Sequence, residues 1–468
     1  MSKNSKYSDL SKNTILFTIN SFGSKIILFL LVPLYTYVLS ANEYGTADLM
    51  TSTAQLLIPL LTLNIQDAVL RFSLDKEKNC KNVISIGVKI NAIATMFLAV
   101  VILLLKYFNI LKVDNEYLLF LFFSFTTGAM QNILQMYSKA INKVNVLVIS
   151  GILSTVVICL LNLLLLIVFK IGIVGYLISN VIGHLCAVLV MLFGGKLYKD
   201  IKFKTDSELT KEMIVFSLPL ALNSVAWWVN NASDKYILTF FCGAAINGIY
   251  SVSYKIPSIL SNFQTIFYNA WSVSAITEFD KDDTDGFIGN THSLYFCIST
   301  VGCSLIMLLN ILLAKILYAK EFFEAWHCVP FLLLGVTFNG IALFEGCLFT
   351  AVKKTKEVSR TTLIGALVNT IANFCLIPFW GAVGAAIATL IGYLTTWFLR
   401  TIFLRKIIKL KVSWKKQIII ICLLAIQLGV ASVQSIYSYF VQLIILIFII
   451  SMQFTFIKNL FKKLLRKN

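Results

Sequence analysis

The chain has 468 residues, 58% of them hydrophobic and only 13% charged, with a formal charge of +18 and a mean hydropathy of +0.83. Soluble domains carry about 25% charged and about 45–50% apolar residues, so most of this surface must face lipid, and a soluble catalytic or nucleic-acid-binding domain is excluded. Segments 160–169 and 441–450 are apolar on both faces, whereas the strands of a membrane barrel alternate. Because every backbone polar group in hydrocarbon needs a partner within its own segment, the sequence predicts an all-α integral membrane protein.

Residues 1–13, polar and carrying three lysines, run straight into an apolar segment with no small-residue cleavage site. That pattern reads as a first membrane helix rather than a removed signal peptide. At about 20 residues per span, fourteen helices are expected, at 14–39, 46–70, 83–105, 117–138, 146–169, 172–194, 212–241, 246–275, 290–314, 326–352, 361–379, 382–403, 417–434 and 437–457. Of the forty lysines and arginines, thirty-one then fall on the side of the N-terminus and five on the other. This bias puts both termini in the cytoplasm. It also explains the net charge as orientation signal and anchor for anionic headgroups, so membrane lipids are expected partners and nucleic acid is not. The last four, Lys25, Lys89, Lys235 and Lys255, lie within predicted helices. The ten cysteines form no CxxC pair, and the histidines at 184, 292 and 327 are too dispersed for a metal site. No G-x-x-x-x-G-K-[ST] loop is present, so neither a cofactor nor an ATP site is expected.

The chain repeats itself. Residues 172–185 lie over 381–394 with seven of fourteen positions identical, and at a slightly shorter offset Asn20-Ser21 lies over Asn223-Ser224 and Gly45 over Gly248. A parallel repeat about an axis near the membrane normal follows. The expected organisation is an N-terminal six-helix lobe at 1–195, a basic cytoplasmic loop at 196–211 and a second six-helix lobe at 212–405. Residues 406–468 would add helices 13 and 14 and a basic tail.

Polar residues within the spans are spaced to share helix faces. Helix 2 carries Asp48, Ser52, Gln55, Pro59, Thr62 and Gln66. Helix 7 carries Asn223, Trp227, Asn230 and Asp234, and helix 8 carries Tyr250, Tyr254, Ser258, Ser261, Thr265 and Tyr268. Such faces serve either as interhelical hydrogen-bond glue, at about 0.6–2 kcal/mol per contact, or as the lining of a watery cavity. The short set on helix 11 (Thr362, Asn369, Asn373) fits glue. The long stripes fit a cavity lined by Asn20, Gln55, Gln66, Asn223, Trp227, Asn230 and Tyr254. Lys25 lies about 16 Å into helix 1, and Lys255 lies at a similar depth beside Pro257. A mid-bilayer lysine costs at least about 2.5–3.5 kcal/mol. Either an acid such as Glu345 or Asp234, or an anionic ligand, must offset that. Asp67 and Arg71, four apart, are expected to pair locally, and Asp234-Lys235 reads as a gate or an outer-interface anchor.

The segments 217–260, SLPLALNSVAWWVNNASDKYILTFFCGAAINGIYSVSYKIPSIL, and 31–50, LVPLYTYVLSANEYGTADLM, resemble the polysaccharide transporters. These are the Wzx-type flippases of the multidrug/oligosaccharidyl-lipid/polysaccharide superfamily. The resemblance implies a MATE-like fold of two six-helix lobes related by a pseudo-two-fold, with a C-terminal helix pair and helices 1, 2, 7 and 8 lining the cavity. It implies a multi-pass protein of the bacterial plasma membrane that is not an enzyme. Its cargo would be an undecaprenyl-diphosphate-linked oligosaccharide, moved to the outer leaflet by alternating access for O-antigen- or capsule-type assembly beside a polymerase and glycosyltransferases. Lys25 and Lys255 would hold the diphosphate. Asp234, Lys235, Glu345, Asp67 and Arg71 are candidates for gating or for coupling to H⁺ or Na⁺. Multidrug and cation antiporters and lipid II flippases share the fold, but this chain lacks the arginine cluster of the lipid II branch in helix 1.

Overall fold

A computed structural model describes residues 25, 27–75, 77–108, 113–202 and 205–465; Asn20 lies outside them. Every element among the described residues is helical. They fall into two compact units, Met1–Ser233 and Asp234–Asn468.

In the first unit, α1 (Val32–Val38) closes an apolar stretch over Ile27–Val38. Helix α2 (Ala41–Leu61) opens on a capping box in which Ser40 Oγ accepts from Glu43 N–H and the Glu43 carboxylate accepts from Ser40 N–H; two otherwise orphaned donors are satisfied at once. Pro59 disrupts the far end of α2. Leu63 and Asn64 take left-handed φ of 52° and 53°, and α3 (Ile65–Ser73) departs at 55°. The polar face expected to run unbroken to Gln66 therefore stops at Thr62, and Gln66 instead donates to Asn64 Oδ1 at 3.2 Å. Helices α4 (Cys80–Tyr107), α5 (Asn115–Ala140), α6 (Val144–Asn162) and α7 (Ile173–Leu189) complete the bundle. Their apolar faces bury a core around Ile84, Ile133 and Val188.

The units divide inside α8 (Ser207–Cys242), which follows the 196–211 loop. That loop is folded onto α4: Lys81 Nζ lies 3.2 Å from Asp200 Oδ1, Lys202 N–H donates to Ser85 Oγ at 2.7 Å, and Lys89 Nζ donates to Thr205 at 3.2 Å. Lys78 Nζ binds Glu212 at 2.7 Å, and that hydrogen bond raises the lysine above its ordinary pKa.

The second unit holds α9 (Ala244–Ser253), α10 (Lys255–Thr277), α11 (Phe287–Leu308), α12 (Asn310–Leu317), α13 (Val329–Ala351), α14 (Thr355–Leu404), α15 (Trp414–Ala431) and α16 (Ile436–Leu465). Helix α13 is buried along nearly its whole length and forms the unit's axis. Helices α15 and α16 are docked on α11 by amides. Gln427 accepts from Ser304 Oγ at 2.7 Å and donates to its carbonyl at 2.9 Å, and Gln453 donates to Thr300 at 3.0 Å. Buried Asp283 closes one end of the unit, accepting from the backbone N–H groups of Ile288, Gly289 and Lys411.

Ten described helices are long and apolar enough to span a bilayer, or eleven if α2 and α3 form one broken span. The count falls short of the expected fourteen at three places. Helix 1 begins outside the described residues. Helix 8 is divided at Tyr254, where Pro257 leaves the Ser253 carbonyl without its helical donor. Helices 11 and 12 run together as the fifty residues of α14, which turns at Gly381.

That turn carries the internal repeat. Gly381 has φ 53° and ψ −127°, and Gly172, its partner in the alignment, has φ 65° and ψ −138°. L-residues avoid this region. The remaining paired glycines also act alike: Gly175 presses on Leu165 and Gly384 on Leu376, Gly183 on Ile158 and Gly392 on Asn369. Gly365 meets Gly392 in the same seam, where an added Cβ would lie 2.8 Å from the Gly392 carbonyl oxygen. Gly365→Ala is expected to cost about 1–3 kcal/mol through overpacking. It should lower the Tm of the purified protein, whereas Gly429→Ala, with open space around its Cβ, should leave it unchanged.

Candidate functional site

In the first unit, Gln55 on α2 and Asn223 and Trp227 on α8 are exposed, Trp227 by 48%. Their helices are held in register by Trp228, whose indole N–H donates to the Ser52 carbonyl at 2.7 Å. One member of the Trp227-Trp228 pair is thus structural while its neighbour faces outward. Lys25 is exposed on its helix, and Asn230 lies on α8. The expected Asp67–Arg71 pair does not form among the described residues. The left-handed Asn64 brings its amide onto the Asp67 carboxylate instead, and Arg71 stays exposed.

In the second unit, Asp234 is no outer-surface anchor. It is buried beneath two tyrosines of the adjoining helix. The Tyr250 hydroxyl donates to Asp234 Oδ2, and Tyr254 reaches the same oxygen at 3.4 Å. The network continues from Tyr250 to Thr389 Oγ1 at 3.1 Å, from Thr389 to the Asn369 amide at 3.4 Å, and from Asn369 Oδ1 to Asn373 Nδ2 at 2.8 Å. Lys235 contributes its backbone N–H to Asp234 Oδ1 at 2.9 Å. A carboxylate, three hydroxyls and two amides thus converge at the kink end of α14. Asn369 and Asn373, expected as glue, belong to this cluster. Thr389 and the direct tyrosine contacts had no sequence signal, since 139 residues separate Tyr250 from Thr389.

Glu345 is fully buried on α13, but its partners are not Lys255. Both its oxygens accept from Thr401 Oγ1, at 2.8 and 3.0 Å, and Oε1 lies 3.7 Å from Nε2 of buried His292. Arg400 completes the group. It lies within α14 and is 2% exposed. Its guanidinium donates to the carbonyls of Ala342 and Val358 and to the hydroxyls of Thr361 and Thr362. This cluster is internally neutralised and ties α11, α13 and α14 together. Lys255, half-buried at the start of α10, differs. Among the described residues its ammonium makes neither an ion pair nor a hydrogen bond.

This fold recurs in known proteins. The lipid II flippase MurJ in an inward closed conformation superposes with a TM-score of 0.71 at 15% identity, covering 96% of this chain and 100% of that one. A multidrug resistance MATE family transporter of the MOP superfamily superposes in its inward-facing form with 0.62 at 12% identity, over 83% and 94% of the two chains. Its outward-facing form gives 0.57 at 14%, over 85% and 94%. The chain is therefore a multi-pass helical membrane protein with the fold of the MOP superfamily. A family model described as polysaccharide biosynthesis protein matches residues 10–272, and the chain belongs to that family. Two uncharacterized membrane proteins of Methanocaldococcus jannaschii are 27% and 24% identical over 51% and 47% of this chain. The matches span about half the length of these relatives, 49% and 55%.

Removing Arg400 would leave the Ala342 and Val358 carbonyls without their donor and take away a buried positive charge that acts on Glu345. Arg400→Gln should cost about 3–5 kcal/mol and be read as a large fall in Tm. Arg405→Gln, which loses only a stacking contact 3.9 Å over the Trp414 ring, should cost about 1 kcal/mol or less.

Proposed function

We propose that this protein is a flippase of the plasma membrane, with both termini in the cytoplasm, that carries an undecaprenyl-diphosphate-linked oligosaccharide to the outer leaflet by alternating access. It would serve surface polysaccharide assembly beside a polymerase and glycosyltransferases. The observation that carries this reading is Lys255. A lysine within a membrane-spanning helix costs several kcal/mol; Glu345, the acid closest in depth, is engaged with Thr401 and His292. A diphosphate is the kind of ligand such a cation is kept for, and lysine grips phosphate as a point charge. Lys25 is the matching cation of the first unit. Family membership supports the polysaccharide cargo. Inward- and outward-facing forms of a transporter with the same fold support alternating access. An inside-negative potential favours outward movement of an anion by about 2.3 kcal/mol per charge per 100 mV.

Asp234 is the proposed coupling site for H⁺ or Na⁺. Its carboxylate, with the Tyr250 and Thr389 hydroxyls and the Asn369 and Asn373 amides beside it, offers the hard oxygen donors a small cation takes. The same cluster is what a multidrug or cation antiporter would need, and this is the second reading.

Lys25→Gln with Lys255→Gln should abolish surface polysaccharide export at normal protein levels, and unchanged export would overturn the phosphate role. For Asp234→Asn, flipping in proteoliposomes should fall about tenfold, as expected for loss of about 1.4 kcal/mol. Its response to Na⁺ and pH gradients should vanish. Drug efflux by the wild type with no movement of lipid-linked glycan would favour the antiporter.

A further inference from the structure

The basic run that follows α14 divides in two. Lys409 and Lys411 are answered by the acidic segment 280–285: Lys409 Nζ lies 3.2 Å from Asp282 Oδ1, and Lys411 Nζ donates to the Thr284 carbonyl at 2.7 Å. Lys406 instead lies over Phe403, its ammonium 5.8 Å from the ring centroid, and the Arg360 guanidinium lies 5.7 Å from the same centroid. Arg360 belongs to the first arm of α14, which the turn at Gly381 folds back along the second. The Arg400 bond to the Val358 carbonyl holds the arms together at this end. Both Arg360 and Lys406 are exposed, and among the described residues neither side chain makes an ion pair or a hydrogen bond.

One ring thus gathers two like charges. Its face attracts each of them, yet the cations repel one another, and Glu357, the acid nearest in sequence, pairs with neither among the described residues. Exposed Lys356, one turn before Arg360 on the same face, adds a third charge. An anion among them would relieve the repulsion. Arginine offers paired donors to phosphate oxygens, and lysine a point charge.

Further along the same faces the helix becomes apolar. On the first arm Lys356, Arg360, Leu363 and Leu367 follow at steps of four, three and four, and on the second Phe398, Ile402 and Lys406 follow at steps of four. Leu363, Leu367, Phe398 and Ile402 are exposed by 62%, 55%, 56% and 37%. A cationic end continuous with an apolar strip matches a phospholipid, with its headgroup on the cations and its acyl chains along the helix. A free phosphate would have no use for the strip.

We propose that Arg360, Phe403 and Lys406 form a discrete site for an anionic diacyl phospholipid, whose chains lie on Leu363, Leu367, Phe398 and Ile402. Basic loops are attracted diffusely to any anionic surface, but a basic pocket between membrane helices holds an individual headgroup. The lipid would bridge the two arms of α14, the helix that carries Asn369 and Thr389.

Binding to the purified full-length protein in detergent is followed by native mass spectrometry with three probes: dioleoyl-phosphatidylglycerol, dioleoyl-phosphatidylcholine and glycerol 3-phosphate. Wild type should bind phosphatidylglycerol about thirtyfold more tightly than phosphatidylcholine, the share of two interfacial cations. Arg360→Gln with Lys406→Gln should erase most of that preference. Lys415→Gln with Lys416→Gln, an equal loss of charge from exposed residues of α15, should leave it intact. Glycerol 3-phosphate at the same concentrations should not displace the lipid. Equal binding of the two lipids by wild type would overturn the site. So would equal weakening by the two double variants, the mark of diffuse attraction, or displacement by glycerol 3-phosphate, the mark of a free-phosphate site. Neither double variant touches Lys25, Lys255 or Asp234, so the result is independent of the flippase reading.

Discussion

A charge in a low-dielectric interior persists only where something answers it, and the second unit is organised by that requirement. Arg400 is answered by two carbonyls and two hydroxyls. Glu345 is answered by Thr401 and His292, and Asp234 by two tyrosines. These arrangements draw together helices far apart in sequence and fix where α14 must lie against α9, α11 and α13. Lys255 departs from the pattern, and the proposed function follows from that departure.

The repeat adds a second constraint. Two glycines in the same rare backbone conformation, each followed three residues later by a glycine that lets the helix press on its predecessor, set the same corner twice. Between its two appearances the motif keeps the backbone and the close contact while the side chains diverge. Tyr176, packed edge-on against Tyr35, has Ala385 as its counterpart. Asn180 bonds its own helix, whereas its counterpart Thr389 sits in the Asp234 network. One copy of the motif has become part of a polar site and the other has not.

The architecture was legible because runs of apolar residues are long and bilayer thickness is fixed. Faces inferred from spacing were legible only while the helix stayed straight. Pro59 and the left-handed Asn64 ended the helix 2 face and took Asp67 from Arg71, a pairing that four-residue spacing alone favours. Depth could be estimated from the sequence but lateral position could not. Glu345 and Lys255 therefore seemed natural partners, although Glu345 is turned toward α11 and α14. Arg400 lies in a predicted helix, but spacing alone gave no sign of the carbonyls and hydroxyls that hold it. Nothing in the sequence placed Asp234 beneath Tyr250 and Tyr254, and only the fold brings Thr389 and Asn369 to them.

The amide ladder joining α15 and α16 to α11 bears on how the last two helices relate to the duplicated part of the chain. Ser304 and Thr300 are fully buried and bonded to Gln427 and Gln453, and the Asp283 cap takes one of its three donors from Lys411. The C-terminal pair is an integral wall of the second unit, and a chain shortened to its duplicated helices would leave Ser304 and Thr300 without these amides.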